Sequence, residues 1–318
     1  MSFPILTLLV LLPVVGSVLT SLISNRQPDL VKVTALLTSA ATGGMSIWLL
    51  FAFKKGDAGF QFVSEHAWIR AWGISWHLGV DGISLFLVVL TGILFPLVIV
   101  GIDPHHDHKR YVSWLLLLEA GVMGSFVSLD LFLFFIFFEI VLVPMYFLIG
   151  GWGYDQRIYA ATKFFLFTMA GSAFMLVGTI ATAVIAKADD GKVTFDMVKI
   201  AEHASFATST GRWLFFAFAI AFAVKVPLFP LHTWLPDAHT QAFGRPLAQS
   251  GQQHLLQIAA MDKPIRGTKS VSAILAQVKQ FPALPRQAMA HLLAFGLAHD
   301  LAHGRLQTQV DQHPRAVG

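Results

Sequence analysis

The sequence predicts an all-α integral membrane protein of about seven transmembrane helices, followed by a polar tail that stays out of the bilayer. Three observations carry this reading. Hydrophobic types make up 55% of the 318 residues and charged types 13%, where a soluble domain has about a quarter charged. Seven stretches approach the roughly 20 apolar residues needed to cross a hydrocarbon core of about 30 Å. The cationic excess sits at one end: residues 1–242 hold 14 Lys and Arg against 15 Asp and Glu, and residues 243–318 hold 8 against 3. The basic character therefore belongs to the tail, and no nucleic-acid partner is expected. Cysteine is absent, which excludes disulfides, thiolate metal centres and cysteine nucleophiles.

In chain order, residues 3–24, 33–53 and 82–101 carry no charge. Residues 111–129 carry Glu119 alone, and 131–150 carry Glu139 alone. Residues 164–186 are uncharged, and 213–231 carry Lys225 alone. The first stretch lacks a basic start, and a second span follows it at once, so it reads as a span rather than a cleaved signal. Most connections are short. The long ones, 54–81 and 187–212, are polar enough to lie outside the membrane. Trp68, Trp72 and Trp76 suit a headgroup belt, where an indole is half apolar and half wet. Asp81 precedes a span and suits the positive end of its helix dipole.

Lysine and arginine are divided between the two sides. Arg26, Lys32, Lys109, Arg110 and Arg157 fall on one side. Lys54, Lys55, Arg70, Lys187, Lys192, Lys199 and Arg212 fall on the other. Raw counting favours the second side as cytoplasmic. Density in the short loops, which we weight more, favours the first.

Residues 243–318 form a segment of different character, with no Trp, Tyr or Glu, five histidines and no apolar run near 20 residues. A short amphipathic helix is expected near 271–279 or 286–302, in a tail that is partly helical or disordered.

Three ionisable residues lie deep in the expected spans: Glu119, Glu139 and Lys225. An isolated charge at the bilayer centre costs roughly 2.5–3.5 kcal/mol on the insertion scale, so such residues face a bundle interior or a wet cavity and mark ion paths. For Glu139 and Lys225 the plainer alternative is a static pair that clips two helices together. Lys163 begins a span and reads as an interfacial lysine that snorkels. Pro227 and Pro230 each lack an N–H and disturb the preceding turn. A broken helix at membrane depth is tolerated only where it is buried in protein or lines water. Lys225 and His232 flank that break. A lysine poised between desolvation and a nearby carboxylate can take up and release a proton, and a histidine titrates near neutrality. His232 and His239 have the plainer reading of interfacial side chains making one hydrogen bond.

The run "DPHHDHKR" offers His105, His106 and His108, which read as a solvated loop rather than a metal site, and no other metal ligand set is expected. Glycine-rich phosphate loops, dinucleotide fingerprints and nucleophilic triads are absent from the sequence.

Four segments carry a resemblance. "LGVDGISLFLVVLT", "FFIFFEIVLVPMYFLIGGWG", "YAATKFFLFTMAGS" and above all "KVPLFPLHTWLPDAHTQA" resemble the antiporter-like M subunits of bacterial NADH-quinone oxidoreductase, respiratory complex I. Mitochondrial subunit 4 and the cation/proton antiporter subunits are relatives. The resemblance covers residues 1–242. It implies two inverted five-helix repeats, each with a broken helix, of which this chain has the first, incomplete. It implies proton translocation driven by quinone reduction elsewhere in the complex. It assigns Glu139, Lys225 and His232 to the proton path, with Lys163 and Glu119 as further candidates. NADH, FMN, iron–sulfur clusters and quinone then belong to other subunits, and this chain holds no cofactor. The partners implied are the other membrane subunits, neighbouring antiporter-like ones especially, in the bacterial inner membrane. The family continues "HTQA" with "PT" and a further lysine-bearing helix, whereas this chain continues "FGRPLAQSGQQ". A frameshift, a premature end or a gene-model error would produce that departure. The alternative functions are a subunit of a multi-subunit sodium/proton antiporter and a non-functional truncated fragment.

Overall fold

The computed structural model describes residues 4–242 apart from 58, 102, 103, 105, 187–192, 204 and 205. They belong to a unit spanning Met1–Phe243. The expected tail, with its helix near 271–279 or 286–302, lies outside the described residues, as do His105, Lys187 and Lys192.

Helices α1 (Ile5–Leu22), α2 (Pro28–Ala52), α3 (Gly82–Gly101) and α4 (His108–Val127) form one group, in which α1 packs on α4 and α2 on α3. Next come α5 (Leu131–Ile140) and α6 (Leu142–Trp152), which divide a single span at Val141. Pro144 accounts for the division. It has no N–H to offer Ile140, four residues back, and its ring crowds that carbonyl. Helix α7 (Arg157–Ala186) packs against α6 and α9 (Thr208–Lys225). A short α8 (Met197–His203) precedes α9, and α10 (Trp234–Ala242) returns against α7 and α6.

Six of these spans are long and apolar enough to cross a membrane, with α5 and α6 taken together. The chain is a multi-pass membrane protein. Helix α9, the expected seventh, is not among the six. It begins at Thr208 with Thr, Ser, Thr, Gly and Arg, and those polar turns dilute its apolar run. It also stops at Lys225, six residues before the expected end of the span at 231. The break is thus observed, and Lys225 closes the helix instead of sitting within a continuous one.

Bilayer solvent gives helices no hydrophobic reason to associate, so small residues that admit close packing carry much of the contact. On α4, a Cβ added at Gly124 would collide with the Phe137 ring of α5, and one at Gly121 would lie 2.9 Å from Val141 at the α5–α6 junction. These two glycines let α5 seat against α4.

The connection between α2 and α3 is not the loop the sequence suggested. Strands β1 (Gln61–Ile69) and β2 (Ile74–Val80) pair antiparallel, with Glu65 opposite His77 and Ala67 opposite Ser75. The turn closes at Gly73, whose φ of 69° is one that side chains disfavour. Trp68 and Trp72 are exposed, in keeping with an interfacial belt. Trp76 is not part of that belt. Its ring stands edge-on to Phe137 at 5.8 Å, and its Nε1 donates to Thr7 Oγ1 at 3.0 Å.

The hairpin is fastened to the helix bundle by the α4–α5 turn. Leu129 N donates to His77 O at 2.8 Å, Leu131 N to Phe195 O at 2.8 Å, and Met197 N to Leu129 O at 2.9 Å. Asp130, fully buried, takes four hydrogen bonds. Its Oδ1 caps α5 by accepting from Phe132 N and Leu133 N, and its Oδ2 accepts from Ser75 N and Ser75 Oγ. Asp81 caps α3 as the sequence led us to expect, accepting from Ser84 N at 2.7 Å and Ile83 N at 3.1 Å.

Asp130→Ala should cost about 1 kcal/mol for the lost cap and about 1–3 kcal/mol more for the Ser75 N–H left unpaired. The readout is the unfolding midpoint by circular dichroism in detergent, and an unchanged midpoint would refute the fastening role. The Ser84 amide, helped by the Ser84 hydroxyl and the Ile83 amide, holds Asp81 below the ordinary carboxylate range against the opposing effect of burial. A lowered folded value means that the cap stabilises the fold fully above the unfolded value of about 3.9. The contribution is lost as pH falls through the folded value. Asp81→Ala should flatten that acid limb, measured by comparing the pH dependence of the midpoint with and without the substitution.

Candidate functional site

The broken helix is built by backbone rules. Val226 N still reaches Phe222 O at 2.7 Å, and Leu228 N stretches to Ala223 O at 2.9 Å. Pro227 and Pro230 can donate nothing. The carbonyl of Val224 is taken instead by the indole of Trp234, whose Nε1 donates at 2.9 Å. Trp234 is itself buried against Phe164 of α7, ring centroids 5.2 Å apart.

Helix α9 is keyed to α7 by glycine. A Cβ at Gly171 would lie 3.0 Å from Val224, and one at Gly178 would lie 3.2 Å from Ala217. The Gly171 contact, one residue before Lys225, fixes where the lysine emerges. Its Nζ lies 4.3 Å from the centre of the Phe138 ring, a cation–π approach. It is buried and makes no hydrogen bond. Glu139, the neighbour of Phe138, places a buried Oε1 that also has no hydrogen-bond partner. The two charges lie within electrostatic reach of each other, without a direct ion pair. His232, just past the break, has its Nδ1 buried and unpartnered and its ring 5.6 Å from Phe229. Three titratable groups thus collect around one helix interruption with open hydrogen-bonding capacity.

Residues 128–249 match the family model described as NADH:quinone oxidoreductase/Mrp antiporter, TM. The NADH-quinone oxidoreductase subunit M of Rickettsia bellii is 38% identical over 250 residues, covering 76% of this chain and 49% of the relative. The subunit M of Rhodobacter capsulatus is 41% identical over 253 residues, covering 75% of this chain and 48% of the relative. Among solved structures, respiratory complex I from Thermus thermophilus with bound NADH contains a chain 28% identical, with a TM-score of 0.65, covering 77% of this chain and 49% of that one. Over about three quarters of its length the chain is similar to the antiporter-like M subunits. It spans about half the length of the curated relatives it matches.

In this antiporter-like chain the remaining candidates separate. Lys163, expected to snorkel, instead pairs with Asp237 of α10, Nζ to Oδ2 at 2.7 Å, with Tyr159 stacked beneath at 5.7 Å. The pairing joins α7 to the far side of the break. Glu119 is fully buried on α4 beside Ser39 of α2, and neither carboxylate oxygen makes a hydrogen bond. His239 is exposed. His106 stacks on Trp152 at 5.8 Å and accepts no metal-like grouping among the described residues.

The sequence reading passed over two features. Asp237 stands inside the most telling motif, and as the one acid of α10 it was the natural partner for Lys163. Pro144, five residues after Glu139, marked the α5–α6 division at that carboxylate by the same rule that marked the later break.

Trp234→Phe keeps the ring and removes the donor to Val224 O. It should destabilise the break by about 1 kcal/mol and speed amide hydrogen exchange over residues 226–235 while leaving α1–α4 unchanged. Exchange that is unaltered there would show that the indole does not hold the break.

Proposed function

We propose that the chain serves as a proton-translocating membrane subunit of a bacterial NADH-quinone oxidoreductase, in the inner membrane, beside other antiporter-like subunits. What supports this most is the pair Glu139 and Lys225 at the broken helix, with the carboxylate Oε1 and the ammonium Nζ both buried and without a hydrogen-bond partner. On this reading Lys225 takes up and releases a proton as the electrostatic influence of Glu139 changes, and His232 carries the proton across the break. Lys163, paired with Asp237, and Glu119, beside Ser39, are the candidates for passing protons to and from this point. The redox chemistry, with NADH, FMN, iron–sulfur clusters and quinone, resides in partner subunits and supplies the driving reaction. A path through the whole protein needs helices beyond residue 242, so the activity is that of the assembled complex.

The test places substitutions in the assembled oxidoreductase. Lys225→Ala should reduce proton uptake into sealed vesicles and NADH-driven quinone reduction together, by at least tenfold, with assembly confirmed on a native gel. Lys225→Arg should restore little, because guanidinium keeps its proton throughout the working range. An alanine variant that assembles and pumps at the parent rate would make Lys225 structural.

The matched family description also names the Mrp antiporter, which keeps a second reading: a subunit of a multi-subunit sodium/proton antiporter. Sodium-dependent proton movement without added NADH would favour it, and dependence on NADH oxidation would exclude it.

A further inference from the structure

We propose that Glu65, His77 and Asp196 form a divalent transition-metal site of the zinc class on the extramembrane face of the bundle, with Lys199 as a built-in competitor. The site involves neither Lys225 nor Glu139 and stands apart from the function proposed above.

Register creates the first two ligands. Glu65 and His77 are directly opposed across the antiparallel pair β1–β2, where side chains on one face stand about 5 Å apart. The third arrives from the 194–196 segment, which the backbone holds against the α4–α5 turn through Leu131 N and Phe195 O. One ligand atom from each of the three residues lies within 4.8 Å of the other two. A tetrahedral zinc with bonds of ~2.1 Å sets its ligand atoms about 3.4 Å apart. Rotation of the exposed Glu65 side chain supplies the difference.

Two details point to a cation rather than to an incidental cluster. His77 is only 6% exposed, and its Nδ1 faces Asp196 Oδ2 at 3.5 Å without making a hydrogen bond. That nitrogen and that oxygen already stand at ion-pair distance, and a metal can take the place of the proton between them. Asp196 is also pre-oriented: its Oδ1 accepts from Val198 N and Lys199 N, which turns Oδ2 toward His77. Such outer hydrogen bonds fix a ligand's direction at metal centres.

Lys199 marks where positive charge is already accommodated. Its Nζ lies 3.0 Å from Asp196 Oδ2 and 3.6 Å from Glu65 Oε1, bridging the two carboxylates. Its side chain is half exposed, so it can swing into solvent when a metal takes its place. One imidazole and two carboxylates, with water in a fourth position, suit zinc or its neighbours in the first transition row better than magnesium or calcium.

The test uses the 318-residue chain purified in detergent, stripped with chelator and titrated with Zn2+ against a chromogenic indicator. Co2+ absorption serves as the readout of geometry. The tail carries five histidines, so the measured quantity is the difference between variants that share the tail. Glu65→Gln, at an exposed position that does not threaten folding, should weaken one zinc equivalent at least tenfold, and His77→Gln should abolish that equivalent. Lys199→Ala should tighten it about tenfold and give the intense visible band of tetrahedral Co2+, a gain that misfolding cannot produce. Zinc binding unmoved by Glu65→Gln, or an affinity unmoved by Lys199→Ala, would overturn the proposal.

Discussion

A lipid bilayer offers the backbone no hydrogen bonds, and the described break after α9 answers to that constraint. Where α9 ends at Lys225, the chain cannot simply unravel. The indole of Trp234 takes the Val224 carbonyl, Leu228 N reaches back to Ala223 O, and Asp237 is drawn to Lys163. The interruption persists because protein replaces the missing water. It leaves over groups that backbone pairing does not consume: Lys225 Nζ, Glu139 Oε1 and His232 Nδ1, each buried and without a hydrogen-bond partner. The site is the residue of an accounting that otherwise closes.

The opposite tactic appears outside the spans, where polar groups are plentiful and are joined into a lattice. One turn, 128–131, is stitched on both sides, to β2 through Leu129 and to the 193–197 segment through Leu131 and Met197. Asp130 serves both the N-terminus of α5 and the hairpin strand. The described parts of the two long connections, the hairpin 61–80 and the segment 193–197, are thereby joined through one turn. A charge removed there disturbs a helix start and a strand together, which single surface pairs of similar geometry do not do.

Much of this was legible in the sequence. Apolar runs located six spans, five with ends within five residues and α7 with a start seven residues late, and the cost of burying a lone charge singled out Glu119, Glu139 and Lys225. The paired prolines announced the break. What escaped was structure whose signal is local and weak beside the hydropathy. The strands 61–69 and 74–80 carry β-formers such as Val63, Ile69 and Ile74, yet three tryptophans in the same stretch read more readily as a membrane belt. Trp76 alone departs from that belt, because its partner Phe137 lies in a different span and only folding brings them together. The Lys163–Asp237 pair depends on how far α10 doubles back, which no periodicity encodes. Asp196 has no sequence signal of its own, because only folding brings it beside Glu65 and His77.

Helix α7 has 30 residues, about 45 Å of rise, against a hydrocarbon layer of about 30 Å. A rod longer than the slab it crosses leans or protrudes, and the lean grows as the slab thins. Gly171 and Gly178 bolt α9 to this rod at two heights, so the two helices tip as one lever. Lys225 rides at the end of that lever. The depth of its ammonium thereby follows the tilt that α7 takes in the surrounding lipid.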